Sequence, residues 1–159
     1  MSEQVRFVAD AMLGSLARKL RIFGFDTVYF REGPDSELLA LAKAQGRIVL
    51  TSDRALAAVA KRRAVAALLV EGRSERERLA SLEQGATRES LFLKAGASRC
   101  ALCNTPLERL KRLDVEADLP AGVKRHHRVY YRCPECDKLY WKGSHWRKLM
   151  RLSSILPRQ

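Results

Sequence analysis

The sequence predicts an α/β fold, a mostly parallel sheet with helices on both faces, followed by a small C-terminal zinc ribbon. Three observations carry this reading. Strand-like and helix-like segments alternate over the first 93 residues, short turns join them, and two C-x-x-C pairs lie in a basic final third.

Each element has its own signal. Residues 5–9 (VRFVA) form an apolar strand ending at Asp10. Over residues 12–23, Met12, Leu13, Leu16, Ala17, Leu20 and Phe23 recur at helical spacing, and Gly24 follows as the C-terminal stop. The β-branched and aromatic run 27–30 (TVYF) is a second strand. Gly33-Pro34-Asp35-Ser36 breaks the chain and offers caps to a helix over 37–45, which Gly46 closes. Residues 47–51 make a third strand, 53–63 an alanine-rich helix and 65–70 a fourth strand. Ser74 and Glu77 form an S-x-x-E capping box that opens a helix running to about residue 84. This β-α order with short connections requires right-handed crossovers and a parallel sheet. Around 94–99 (KAGASR) small and basic residues replace the pattern, which places a boundary between domains 1–93 and 94–159.

Charge divides along the same line. Of 30 Lys+Arg and 18 Asp+Glu, the first 93 residues hold 15 and 12, net +3, and the rest hold 15 and 6, net +9. A basic C-terminal part attracts polyphosphates through counterion release. No run approaches the roughly 20 apolar residues of a membrane span, and no basic amphipathic helix has a clear lipid-facing side. The start MSEQVRFVAD is too polar for a secretory signal. The expectation is a cytoplasmic protein that makes no use of a membrane.

Cys100 and Cys103 are separated from Cys133 and Cys136 by 29 residues. Each C-x-x-C presents two thiolates on one tight turn, and two such turns complete a tetrahedron around Zn²⁺. Four thiolates close the coordination sphere, so this metal is structural. The surrounding segment mixes bases and aromatics: Lys124, Arg125, His126, His127, Arg128, Tyr130 and Tyr131, then Tyr140, Trp141, Lys142, His145, Trp146, Arg147 and Lys148. Aromatic faces stack unpaired bases while Arg and Lys hold phosphates. Lys124, Arg125, Arg128, Lys142, His145, Arg147 and Lys148 are therefore candidate RNA contacts. On the first helix Arg18 and Arg21 are candidates as well. The alternative is that the aromatics pack the ribbon and the bases form only its solvated face.

Three carboxylates fall where ligands bind open α/β sheets, outside the carboxyl ends of strands at a reversal of strand order. Asp10 follows the first strand, Asp53 follows the third, and Asp35 opens the helix between them. If the first and third strands are neighbours, Asp10 and Asp53 converge. Gathered carboxylates repel unless a cation neutralises them, and hard oxygens suit Mg²⁺ or Mn²⁺. Such an ion activates water and polarises a phosphodiester. Each aspartate taken singly also serves as a helix cap. Asp26 reads as a turn residue and not as a ligand.

The stretch Phe7-Val8-Ala9-Asp10-Ala11-Met12-Leu13-Gly14-Ser15-Leu16-Ala17-Arg18-Lys19-Leu20-Arg21, with Gly24-Phe25-Asp26 and Leu50-Thr51-Ser52-Asp53-Arg54, resembles the PIN-like ribonuclease domain named after the C-terminus of the mut-seven exonuclease. Cys133 and Cys136 followed by Leu139-Tyr140-Trp141-Lys142-Gly143-Ser144-His145-Trp146 resemble the second knuckle of that family's zinc ribbon. The resemblance implies a PIN-like fold and a hydrolase that cleaves RNA with Mg²⁺ or Mn²⁺, Asp10, Asp35 and Asp53 being its catalytic and metal-binding residues. It also implies an RNA-contacting ribbon. PIN nucleases often carry a fourth acid late in the sheet, where this chain offers Glu71, Glu75 and Glu77. The rival readings are a non-catalytic RNA-binding module and a protein that docks on a ribonucleoprotein. The sequence names no inhibitor or other protein partner.

Overall fold

The computed structural model describes residues 4–157, without the side chains of Glu116 and Arg125. Four parallel strands, β1 (Phe7–Ala9), β2 (Thr27–Tyr29), β3 (Ile48–Thr51) and β4 (Ala67–Leu69), form a sheet in the order β2-β1-β3-β4. Val8 pairs with Val28 on one side and Val49 on the other. The first and third strands are therefore neighbours, and strand order reverses between them.

Side-chain alternation divides the core in two. Phe7, Ala9, Ile48, Leu50 and Leu68 face α1 (Gly14–Ile22) and α4 (Glu75–Arg88). Val8 and Val49 face α2 (Asp35–Gln45) and α3 (Arg54–Arg62). Helices thus cover both faces, as a parallel sheet demands.

Three helix starts or ends differ from the sequence reading, each for a local reason. The first helix is preceded by a 3₁₀ turn, Ala11–Leu13, because the Asp10 side chain accepts from the Met12 N–H. The second begins at Asp35 with Pro34 in the capping position, so Asp35 and Glu37 occupy the first turn, where negative charge suits the helix dipole. The fourth opens with the expected Ser74/Glu77 capping box but continues to Arg88. Gly85 does not end it, because Leu82, Gly85 and Ala86 are all buried against the core.

After residue 93 the chain enters the first cysteine turn, then an antiparallel sheet of β5 (Glu108–Lys111), β6 (Val129–Arg132) and β7 (Leu139–Trp141), with α5 (Ala121–His126) between β5 and β6. One face of this sheet has a small core of Val115, Leu119 and Tyr130. The last helix, α6 (Ser144–Ser153), returns to the larger unit: Trp146, Leu149 and Leu156 belong to the same cluster as Leu16, Leu20 and Phe23. No helix among the described residues is long and apolar enough to cross a membrane.

Candidate metal centre and acidic rim

At the carboxyl edge of the parallel sheet, Asp10 leaves β1 and is buried, with 7% of its surface exposed. Its Oδ1 accepts from the Met12 N–H at 3.0 Å, and its Oδ2 accepts from the Thr51 hydroxyl at the end of β3. The same Thr51 hydroxyl accepts from the Asp53 N–H at 2.9 Å. Asp53 caps α3, its Oδ1 accepting from Ala55 N–H at 2.7 Å and Leu56 N–H at 3.3 Å. A side-chain bridge therefore joins the two acidic strand ends across the switch point. Thr51 escaped the sequence reading. Its signal is a hydroxyl residue in the last strand position, two before the acid, where it can bond its own backbone.

Asp35 opens α2, which leaves the same edge, and is exposed. The three carboxylates do not form a closed cage: among the described residues, only the four cysteines form a group of three or more metal-ligating side chains with donor atoms within 4.8 Å. Mg²⁺ and Mn²⁺ sites of one or two carboxylates completed by water and substrate oxygens need no such cage. Of the three, Asp10 is the most enclosed. It is buried, both oxygens are bonded to neutral donors, and no Lys or Arg nitrogen lies within 4.0 Å among the described residues. The later acids are otherwise engaged: Glu71 pairs with Arg54 at 2.5 Å, Glu75 with Lys19 at 3.3 Å, and Glu77 closes the capping box.

The cysteine centre is built from two matching turns. Cys100 N–H bonds Thr105 O at 2.8 Å and Asn104 N–H bonds Cys100 O at 3.0 Å; in the second turn Cys133 N–H bonds Lys138 O and Asp137 N–H bonds Cys133 O, each at 3.0 Å. Asn104 and Asp137, each directly after the second cysteine of its pair, have φ of 68° and 55°. Asn and Asp tolerate this left-handed conformation better than other side chains. The Sγ atoms of Cys100 and Cys136 lie 3.4 Å apart, those of Cys103 and Cys133 3.3 Å, and those of Cys103 and Cys136 3.9 Å. A tetrahedron with Zn–S bonds of about 2.3 Å has edges of about 3.8 Å, so the four sulfurs fit one ion. No pair is a disulfide.

The protein donors around these sulfurs are unequal. Burial works against the Cys100 thiolate, but the Tyr140 hydroxyl at 3.1 Å and the Cys103 and Leu102 N–H groups outweigh it and bring the thiol to about 6. The Lys138 N–H favours the Cys136 thiolate, yet the neighbouring sulfurs push that thiol up to about 12. Four thiolates cannot all ionise beside one another without a cation, which is the electrostatic case for a bound ion.

Arg21 and Asp26 dock this centre on the parallel sheet. The sequence reading put Arg21 among the RNA contacts; the structure buries it. Its Nε donates to Thr27 O at 2.8 Å and its Nη1 to Ala101 O at 2.8 Å and Leu102 O at 3.0 Å. A guanidinium committed to three carbonyls has no phosphate role. Arg21 follows Ala17 by four residues and so lies on the buried stripe of α1, the signal that marks it as internal. Asp26, rejected as a ligand, accepts from Arg47 and from Asn104 Nδ2, each at 2.7 Å, while Asn104 Oδ1 accepts from the Thr27 N–H at 3.1 Å. Burial opposes the Asp26 charge, but Arg47 and Asn104 outweigh it and hold its carboxyl below the usual range.

These contacts lie at the amino edge of the sheet, where β1 and β2 begin. The acidic rim lies at the opposite edge, about 10 Å away along β1 at 3.3 Å per residue. Of the other expected RNA contacts, Arg18, Arg128, Lys142, His145, Arg147 and Lys148 are exposed, Lys124 is half-buried, and the Arg125 side chain lies outside the described residues.

Comparison with curated proteins and with solved structures gave no match. The family model of the Mut7-C RNAse domain matches residues 5–153, from just before β1 to the end of α6. That span takes in both the carboxyl-edge aspartates and all four cysteines, and the chain accordingly belongs to the Mut7-C RNAse domain family.

Proposed function

We propose that the protein is a PIN-like, divalent-metal-dependent endoribonuclease, with residues 1–93 carrying the cleavage site and residues 94–159 a zinc ribbon that binds RNA. The observation that carries this is Asp10: a buried carboxylate without a cationic side-chain partner among the described residues, tied through Thr51 to Asp53 at the point where strand order reverses. Asp10 and Asp53 hold the cation, and Asp35 approaches from the first turn of α2. Bound Mg²⁺ or Mn²⁺ supplies charge neutralisation at the phosphodiester and acidifies a water. Thr51 fixes the Asp10 carboxylate by taking one of its oxygens, so that the other rim oxygens set the geometry. The cysteines hold Zn²⁺, whose role is structural.

The test is cleavage of a labelled single-stranded or hairpin RNA by the zinc-loaded wild type and by Asp10→Asn, with Mn²⁺ and with no added divalent ion. Cutting that needs the metal and disappears in the variant supports the nuclease. A specific observation favours a second reading, a non-catalytic RNA-binding module: Asp10 and Asp53 each cap their own helix, and the acidic trio is not clustered. In that case RNA binding is equal with and without added Mn²⁺, is unchanged in Asp10→Asn, and no cutting occurs with either protein.

A further inference from the structure

At the end of the β5–β6 pair where the connecting chain 112–128 leaves and returns is a cleft of about 350 Å³ lined by Arg109, Leu110, Lys111, Arg112, Arg128 and Val129. Four of those six residues are cationic and none is acidic; Asp114, beyond the strand, accepts the Lys111 backbone N–H at 3.1 Å. Pairing explains how the charges gather. Lys111 stands opposite Val129 and Arg109 opposite Tyr131, so both cations share one face of the sheet. At the other end of β6, Arg132 stands across from Glu108 and pairs with Asp118 at 2.5 Å and Asp137 at 3.4 Å. Among the described residues Arg109, Lys111 and Arg128 have no such carboxylate, and all three are exposed.

Tyr131, across from Arg109, is held by packing. Tyr131 stacks on Trp146 with the rings 6.0 Å apart and 1° from parallel, and Lys142 lies 5.9 Å above the Tyr131 ring. Cations spaced along a strand match an extended nucleic-acid backbone better than a compact anion, a lipid surface or an acidic peptide.

We propose that Arg109, Lys111 and Arg128 form a phosphodiester-binding cleft for single-stranded RNA, separate from the acidic rim. Arg109 and Lys111 were not among the contacts expected from sequence. The inference rests on the RNA-binding reading above, so its test is made without cleavage, in the zinc-loaded Asp10→Asn protein with no added Mg²⁺ or Mn²⁺.

A fluorescein-labelled oligouridylate is titrated across a range of KCl concentrations with the parent and with Arg109→Gln/Lys111→Gln/Arg128→Gln. The control is Lys61→Gln/Arg62→Gln/Arg63→Gln, which removes the same charge from exposed positions at the end of α3. For a single strand, each phosphate that a cation no longer neutralises lowers the slope of log K against log salt by about 0.7, so the cleft variant loses about 2 and the control almost none. Zinc content and near-ultraviolet circular dichroism verify the fold. Should the triple variant fail to fold, the single variants each lose about 0.7. Equal loss in cleft variant and control, or an unchanged slope in the cleft variant, overturns the cleft alone. Absence of salt-sensitive binding by the parent overturns the RNA reading and the cleft together.

Discussion

Replacing Arg21 by methionine is the sharpest test of how the two parts of the chain hold together. Methionine keeps the length and apolar stem but removes three bonds from a buried guanidinium to Thr27 O, Ala101 O and Leu102 O. A hydrogen bond to a charged group contributes about 1.5–3 kcal/mol, and these three share one donor group, so they do not add fully. Leaving buried carbonyls unpaired adds its own penalty, and breaking a comparable buried polar interaction costs about 3–5 kcal/mol. For a domain of this size each kcal/mol moves the melting temperature by about 2–4 °C, which puts the expected loss on the order of 10 °C. Thermal unfolding of the zinc-loaded protein measures this, and a chromogenic chelator measures zinc release, expected to be faster because two of the freed carbonyls belong to the first cysteine turn. Arg21→Lys recovers only part of the loss, since an ammonium cannot span three carbonyls in a fixed fork. A variant with wild-type melting and zinc release but weakened RNA binding would return Arg21 to the phosphate role that its sequence position suggested and refute the docking argument.

Further outcomes follow from the same geometry. Removing zinc with a chelator, or replacing Cys133 by serine, melts the ribbon and lowers the stability of the whole chain, because Trp146, Leu149 and Leu156 lie in the main core; tryptophan fluorescence reports it. Thr51→Val keeps the shape of β3 but cuts the bridge between Asp10 and the Asp53 backbone, and is expected to lower RNA cleavage by about 10–100-fold, as removal of a metal ligand's supporting hydrogen bond does, with little change in RNA affinity. Gly14→Ala places a Cβ 2.8 Å from the Tyr29 ring and destabilises by about 1–3 kcal/mol, measured by urea unfolding. Asp26→Asn loses stability at neutral pH. Because the folded carboxyl titrates below its unfolded value, that contribution is complete above an unfolded pKa of about 3.9 and disappears as pH falls through the folded one. Wild type and variant therefore converge in acid, and a constant gap from neutral to strongly acidic pH would contradict the ion-pair account.

What could be read from the sequence was what depends on neighbours along the chain. Apolar runs such as Ile48–Thr51 and the Ser74/Glu77 box fix elements locally, and the two C-x-x-C pairs state their own chemistry. The adjacency of β1 and β3 was conditional in sequence and is observed in the register. Contacts between distant residues were not legible. Asp26 was recognisable as a turn residue, but its partner Asn104 lies 78 positions away and reads locally as a left-handed turn residue. Arg21 was misassigned because its charge was weighted above its place on the α1 stripe. Thr51 was passed over because a threonine ending a strand satisfies β propensity without any further role.

The placement of these contacts makes the first cysteine turn a structural continuation of the sheet. Asp26 and Thr27 end the connection from α1 and begin β2, Arg47 precedes β3, and Asn104 and the Ala101 and Leu102 carbonyls meet them from the cysteine turn. The strands that carry Asp10 and Thr51 at one end are thus braced at the other by the metal turn. Because the β1 backbone is only three residues long, a shift at the amino edge is transmitted to the rim with little chain to absorb it. Zinc loading is therefore expected to matter for any chemistry at Asp10 without a cysteine approaching it. The sensitive comparison is Arg21→Met against Cys133→Ser: both loosen the same edge, one with the four thiols intact. If rim-dependent cleavage falls in parallel with melting temperature in both, the brace accounts for the loss. If cleavage falls only in the cysteine variant, the ribbon acts on RNA independently of the sheet.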